Sequence, residues 1–132
     1  MRREGAKAKD YAQRHNVPKW YADAGQLIND PEVNAIYVAT PPSSHEEYAI
    51  AAIRAGKHVY VEKPMSVSFA GASNILEVAK ENNAKLSLAH YRREQPLFKK
   101  VQQILDEKII GEVRLVNLFC YKNPLTAQEL SY

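Results

Sequence analysis

The groups in this chain that can move protons or hold anions gather at three places. One is Thr40-Pro41-Pro42 with His45 shortly after; the second is Glu62-Lys63-Pro64; the third is His90-Tyr91-Arg92-Arg93. An imidazole exchanges protons near neutral pH, a lysine beside a carboxylate is an acid–base pair, and guanidiniums hold anions. Taken singly, each has an ordinary reading. Lys63 is a solvated loop lysine, His45 a surface residue in the first turn of a helix, and Arg92 or Arg93 an ion-pair partner for Glu94. His58, just ahead of a strand, is structural, and His90 either faces a cleft or packs. Cys120 lies on an apolar strand as a core residue rather than a nucleophile. As the single cysteine it also excludes an internal disulfide and a cysteine-based zinc site, and no metal site is expected.

The elements that must position these groups follow from hydrophobic spacing. Residues 4–15 read as a helix, with Ala8, Tyr11, Ala12 and His15 on one face and Asn16 as its stop. Residues 17–21 contain Pro18 and form an edge segment at best. Asp23 and Gln26 have capping-box spacing and open a short helix before Pro31. Ala35 to Ala39 is a continuous apolar run, the pattern of a strand buried on both faces, and Thr40-Pro41-Pro42 stops it. Ser43 and Ser44, each three residues ahead of an acid, predict a capped helix that packs Ala49, Ile50, Ala52 and Ile53 and ends at Gly56. A strand at 59–61 follows, then a helix capped by Ser68 with Phe69, Ala72, Leu76 and Ala79 as its inner stripe. A strand at 86–89 and a helix begun by Pro96 come next, with Leu97, Val101, Ile104 and Leu105 inward. Gly111 ends that stretch, and Val113 to Phe119 reads as a longer strand. Strands near 38, 61 and 88 with helices between them give the rhythm of parallel βαβ units. In such sheets ligands bind beyond the carboxyl ends of the strands. All three polar clusters fall there.

Composition sets the outer bounds. With 132 residues, 45% hydrophobic and 25% charged, the chain is sized for one globular domain. No run approaches the roughly 18 apolar residues of a spanning helix. No apolar stretch follows Arg2 and Arg3, so no secretory signal is read and a cytoplasmic setting is expected. The net charge of +3 resides in the first fourteen residues, where five basic residues face two acidic ones. That segment has helical spacing and lacks a nucleic-acid-reading motif, so it reads as a solvated helix face, with a phosphate contact as the alternative.

The stretch Ala55-Gly56-Lys57-His58-Val59-Tyr60-Val61-Glu62-Lys63-Pro64 resembles the A-G-K-H-V-x-x-E-K-P pattern of the Gfo/Idh/MocA oxidoreductases, the glucose-fructose oxidoreductase and inositol dehydrogenase group. The resemblance runs from about residue 2 to 120. It takes in Tyr21-Ala22-Asp23, Asp30-Pro31-Glu32-Val33, Ala39-Thr40-Pro41-Pro42 through His45, Tyr91 to Pro96, and Ile110-Gly111-Glu112-Val113. It implies a Rossmann domain followed by an α/β domain, a nicotinamide cofactor (NAD or NADP), and hydride transfer to or from a sugar, cyclitol or related hydroxyl carbon. Lys63 resembles the family's lysine near the reacting hydroxyl and the nicotinamide, a catalytic and cofactor-binding position, and the chemistry is suitable. Removing a hydroxyl proton as hydride leaves needs a base, or a charge beside the developing alkoxide, and a desolvated lysine has its pKa lowered toward that task. Thr40, Pro41, Pro42 and His45 resemble the wall along the cofactor's ribose and nicotinamide. Glu62 resembles a partner for Lys63 or the ribose, and Arg92 a position near the nicotinamide or the substrate.

Part of the family pattern is missing. A dinucleotide fold seats its pyrophosphate on a glycine-rich turn at a helix N-terminus. The five glycines here (Gly5, Gly25, Gly56, Gly71 and Gly111) include no two within fourteen residues, so no G-x-G-x-x-G exists in the sequence. The expected architecture is a partial Rossmann-like parallel sheet with flanking helices, lacking its first β-α-β unit, over residues 1–111. The first strand of a truncated α/β substrate domain follows over 112–132. Arg2 and Arg3 fall where the family reads the ribose and would suit a 2′-phosphate. Three readings follow: an oxidoreductase fragment with little activity alone, a self-associating non-catalytic binding or regulatory module, and a small intact enzyme with another cofactor. A homo-oligomer is expected, with no nucleic-acid or membrane partner.

Overall fold

Three short strands, β1 (Ala35–Val38), β2 (His58–Val61) and β3 (Leu86–Leu88), pair in parallel in the order β1-β2-β3. The computed structural model that shows this describes residues 4–119 and 121. The helices are α1 (Gly5–Arg14), α2 (Ala24–Ile28), α3 (His45–Arg54), α4 (Phe69–Glu81) and α5 (Pro96–Asp106). The chain forms two compact units, residues 1–91 and 92–132. The first holds the sheet with α1 to α4; α5 belongs to the second.

Local chemistry accounts for most boundaries. The Asp23 carboxylate accepts from the Gln26 N–H at the start of α2, and the Ser68 hydroxyl accepts from the Gly71 N–H at the start of α4. Each satisfies one of the four donors that a helix N-terminus leaves open. Pro96 opens α5, where its missing N–H costs nothing. Asn16 and Gly56 follow α1 and α3 with φ of 53° and 75°, a backbone region open to glycine and tolerated by asparagine. The serines before α3 behave otherwise. Residues Pro42–Ser44 form a 3-10 turn, and the Ser44 hydroxyl lies 2.8 Å from Thr40 Oγ1 and 2.9 Å from the Pro41 carbonyl, so it does not cap the helix.

The core joins Ile36 and Val38 of β1, Val59 and Val61 of β2, Ala49, Ala52 and Ile53 of α3, and Ile75, Val78 and Ala79 of α4. Ile53, Ile75 and Val61 are fully buried, each contributing on the order of 1.5–3 kcal/mol of transfer free energy. Two expectations shift. The inner stripe of α4 is Gly71, Ile75, Val78 and Ala79, whereas Phe69 is 90% and Leu76 54% exposed. The two stripes are about one residue out of phase and share Ala79. Ser68 as N-cap and the close packing at Gly71 fix the choice. The sheet is buried on one face only: β1 and β2 alternate exposed and buried, leaving Tyr37, Tyr60 and Ser87 uncovered. The apolar run of β1 is one-sided because its outward positions are the small Ala35 and Tyr37, whose hydroxyl is polar.

In the second unit, α5 keeps its amphipathic spacing, but Leu97, Val101 and Leu105 are exposed and Ile104 is only partly buried. Among the described residues this unit contains no other α-helix and no strand to cover that stripe. Residues 113–119 form no strand either. A strand exists only through its ladder, and no partner strand is present among the described residues of this unit. Cys120, Arg2 and Arg3 lie outside the described residues, as do residues 122–132 of the expected second domain.

Candidate active-site edge

Parallel strands deliver their exits to one edge of the sheet, and here the exits of β1 and β2 are tied together. Pro41 leaves β1 in an extended conformation (φ −57°, ψ 145°), and the 3-10 turn brings the chain back so that His45 begins α3. His45 is only 1% exposed. Its Nε2 lies 2.7 Å from the Thr40 carbonyl and its Nδ1 2.8 Å from the Pro64 carbonyl. One imidazole therefore bridges the loop after β1 to the loop after β2. Both partners are acceptors, so the ring donates one N–H when neutral and two when doubly protonated. It is a buried brace rather than an exposed wall. The Lys63–Pro64 peptide between the bridged loop and its lysine is cis.

Glu62 follows β2 directly, its backbone N–H continuing the ladder to the Val38 carbonyl at 2.9 Å. Its carboxylate accepts from the Tyr37 hydroxyl at 2.5 Å and from the Lys63 N–H at 3.1 Å. The Lys63 ammonium is 3.9 Å from the same carboxylate. The Tyr37 hydrogen bond, with the Lys63 N–H second, holds the Glu62 carboxyl below the usual carboxylate range; reciprocally, the carboxylate pushes the Tyr37 phenol up. Lys63 itself is solvent-facing, with a side chain 59% exposed. The desolvation expected of a catalytic lysine is not present here; the group beside it is a carboxylate.

Thr40, Pro41, His45, Glu62 and Lys63 thus share one edge, with Pro42 exposed in the turn between Pro41 and His45. Arg92 belongs to the second unit, on the 3-10 turn Tyr91–Glu94. Glu94 pairs with Lys99 at 2.5 Å rather than with Arg92 or Arg93. His58 is exposed and its Nδ1 accepts from the Lys85 N–H at 3.3 Å, a link between the start of β2 and the chain entering β3. Beside β1 lies an apolar cavity of about 150 Å³ lined by Leu27, Ile28, Ile36, Val38, Thr40 and Tyr48. That is below the ~300 Å³ at which small-molecule sites begin, so it holds no cofactor by itself. Among the described residues no group of three or more His, Cys, Asp or Glu is arranged to hold a metal ion, and no helix is long and apolar enough to cross a membrane.

Sequence reasoning missed Tyr37. The signal was available, since alternate residues of a strand share a face and parallel pairing puts Tyr37 beside Tyr60, two residues before Glu62.

Comparison with known proteins gives a consistent result. Residues 1–90 match the model of an oxidoreductase family with an NAD-binding Rossmann fold, the Gfo/Idh/MocA type. Oxidoreductase P35 of Formosa agariphila is 47% identical over 113 residues, covering 86% of this chain and 35% of that protein. Myo-inositol 2-dehydrogenase of Thermotoga maritima is 31% identical over 110 residues, covering 83% of this chain and 33% of that protein. Among solved structures, the 3-ketoreductase KijD10 of Actinomadura kijaniata, in complex with NADP and TDP-benzene, superposes with a TM-score of 0.78 at 32% identity. It covers 85% of this chain and 34% of its own. The chain spans about a third of the length of the curated relatives it matches.

Proposed function

The chain belongs to the Gfo/Idh/MocA family of NAD-binding oxidoreductases, and from that membership we propose that it supplies the reacting edge of an enzyme moving hydride between a nicotinamide cofactor and a sugar, cyclitol or related hydroxyl carbon. The observation that carries this reading is the convergence of Thr40, His45, Glu62 and Lys63 at the carboxyl edge of a parallel sheet, where α/β folds bind ligands. The nicotinamide group, when bound, takes up or returns the hydride. The residues present suit its nicotinamide-ribose end: Glu62 offers carboxylate oxygens to hydroxyls, Lys63 an accessible amine, and Pro41 and Pro42 a non-polar rim. They do not offer a pyrophosphate turn, because the sequence has no G-x-G-x-x-G.

In the oxidation direction, Lys63 Nζ in its neutral form takes the substrate hydroxyl proton as the carbon loses hydride, and as an ammonium it stabilises the developing alkoxide; reduction runs the same transfer in reverse. Closing water away from Lys63 would favour the neutral amine. Glu62 supplies a carboxylate 3.9 Å from that nitrogen. His45 keeps the two loops in register without touching substrate. Arg92 belongs to the reading as a group at the substrate end, supported by the family resemblance alone. The same reading extends the cofactor-binding domain to residue 111, opens a second domain at 112, and places the protein in the cytoplasm. NAD and NADP both suit it.

Lys63→Ala, in a full-length protein carrying this sequence, is expected to lower turnover by about 10²–10⁴-fold while cofactor affinity stays within a few-fold. Near-normal turnover removes Lys63 from the mechanism. A second reading, self-association, is favoured by the exposed Leu115, Val116, Leu118 and Phe119. Light scattering on a sizing column tests it, a discrete dimer supporting it and a monomer overturning it.

A further inference from the structure

One group beside the site makes a tight contact that proton transfer at Lys63 leaves unused. Tyr37 lies on the uncovered face of β1, directly beside Tyr60 of β2, the ring centroids 5.3 Å apart and the planes tilted by 34°. Tyr60 is two residues before Glu62, so Glu62 is the diagonal neighbour of Tyr37 on the same face, within reach of a long side chain. The phenol uses that reach: its hydroxyl donates to Glu62 Oε1 at 2.5 Å, while Glu62 Oε2 receives the Lys63 N–H at 3.1 Å and faces the ammonium at 3.9 Å. Each carboxylate oxygen thus has a separate task. One is taken by the tyrosine and the other is turned to the lysine.

We propose that Tyr37 is a positioning residue of this site: its hydroxyl fixes the Glu62 carboxylate, and the fixed carboxylate holds the Lys63 ammonium at the exit of β2. The inference rests on the reading of Lys63 as the proton-transfer group. Without the hydroxyl, the Lys63 N–H is the one remaining hydrogen bond on the carboxylate, and the counter-charge facing the lysine is less sharply placed. The Tyr60 ring limits how far Tyr37 can swing, which keeps the donor aimed. The charged or titratable groups facing the carboxylate are Tyr37 from β1, Lys63 on its own loop and His45 from α3 at longer range. The Tyr37 bond is the largest of the influences that keep Glu62 ionised, followed by the Lys63 N–H.

The test uses the 132-residue chain with carbon-13 at glutamate side chains, followed by NMR across the acid range. Tyr37→Phe removes the hydroxyl and keeps the ring, and Tyr60→Phe is its control. The expected result is an upward move of the Glu62 titration in Tyr37→Phe alone, with loss of the nuclear Overhauser contact between the Glu62 and Lys63 side chains. Coincident Glu62 titrations in wild type and Tyr37→Phe overturn the inference, as does an equal shift in Tyr60→Phe. Failure of the underlying reading shows differently. If the Glu62 titration moves as expected but Lys63→Ala leaves turnover intact in the full-length protein, the positioning is upheld and the role of Lys63 in proton transfer falls.

Discussion

Two carboxylates at opposite ends of the sheet are dressed by the same three kinds of donor. Before β1, Asp30 receives the Tyr21 hydroxyl, the Glu32 N–H at 2.7 Å and the Lys19 ammonium at 3.0 Å. After β2, Glu62 receives the Tyr37 hydroxyl, the Lys63 N–H and, at a looser 3.9 Å, the Lys63 ammonium. The tightness differs. The Asp30 side chain is 9% exposed and its lysine also bonds Glu32, so every group there is committed. Glu62 is 30% exposed; the two lysines are exposed alike, 54% and 59%, but the Lys63 ammonium stands 3.9 Å from its carboxylate, beyond hydrogen-bond reach. Lys57 adds to the first cluster, its ammonium donating to the Asp30 carbonyl at 2.8 Å and joining the entries of β1 and β2. In the proposed reading, the closed cluster only fastens the fold, while the open one is free to meet a ligand.

The contrast is most exposed to a lysine exchange. Lys63→Ala should cost the two to four decades of turnover given above, whereas Lys19→Ala should leave turnover within about twofold and lower only the melting temperature. Steady-state kinetics and calorimetry on the two variants separate the clusters, and a comparable loss of turnover in both would erase the distinction. A smaller effect comes from the packing beneath the Lys63 loop. A Cβ on Gly71 would fall 2.2 Å from Glu46 Oε2 and 2.3 Å from Ser66 Oγ. Gly71→Ala should therefore destabilise by roughly 1–3 kcal/mol in urea denaturation, despite alanine's better helix propensity. A neutral or stabilising result would mean the Glu46 side chain yields freely.

The smallest effect is in acid. The Tyr21 hydroxyl, with the Glu32 N–H and Lys19 after it, holds Asp30 at about 2, against roughly 3.9 in an unfolded chain. A depressed carboxyl stabilises the fold above its unfolded value, and that contribution disappears as pH falls from about 4 toward about 2. Asp30→Asn should flatten this part of the stability-versus-pH curve and Glu62→Gln should flatten it less. The reverse order would show that the exposed cluster is the tighter one.

The parallel pairing of the strands was legible from the βαβ rhythm, and the caps at Asp23 and Ser68 and the stop at Gly56 because each is fixed by a local rule. The α4 stripe was not, because the spacing of Phe69, Ala72, Leu76 and Ala79 is as helical as that of Gly71, Ile75, Val78 and Ala79. Only the glycine that lets Glu46 and Ser66 approach decides between them. The edge residues Thr40, Glu62 and Lys63 could be named from strand ends and family resemblance. What they do to one another could not. His45 looks like a surface residue in sequence, since a helix's first turn is usually wet, and its burial depends on a Pro64 carbonyl nineteen residues away. Tyr37 escaped notice because its partner lies diagonally across a ladder.

That histidine has a consequence for affinity. Loops that must be ordered around a ligand lose conformational entropy on binding, and the loss is subtracted from the contact energy. Here the two strand exits are already joined through one ring whose nitrogens meet the Thr40 and Pro64 carbonyls. In the proposed reading, a ligand at this edge meets two loops that this ring has already brought together in the folded chain.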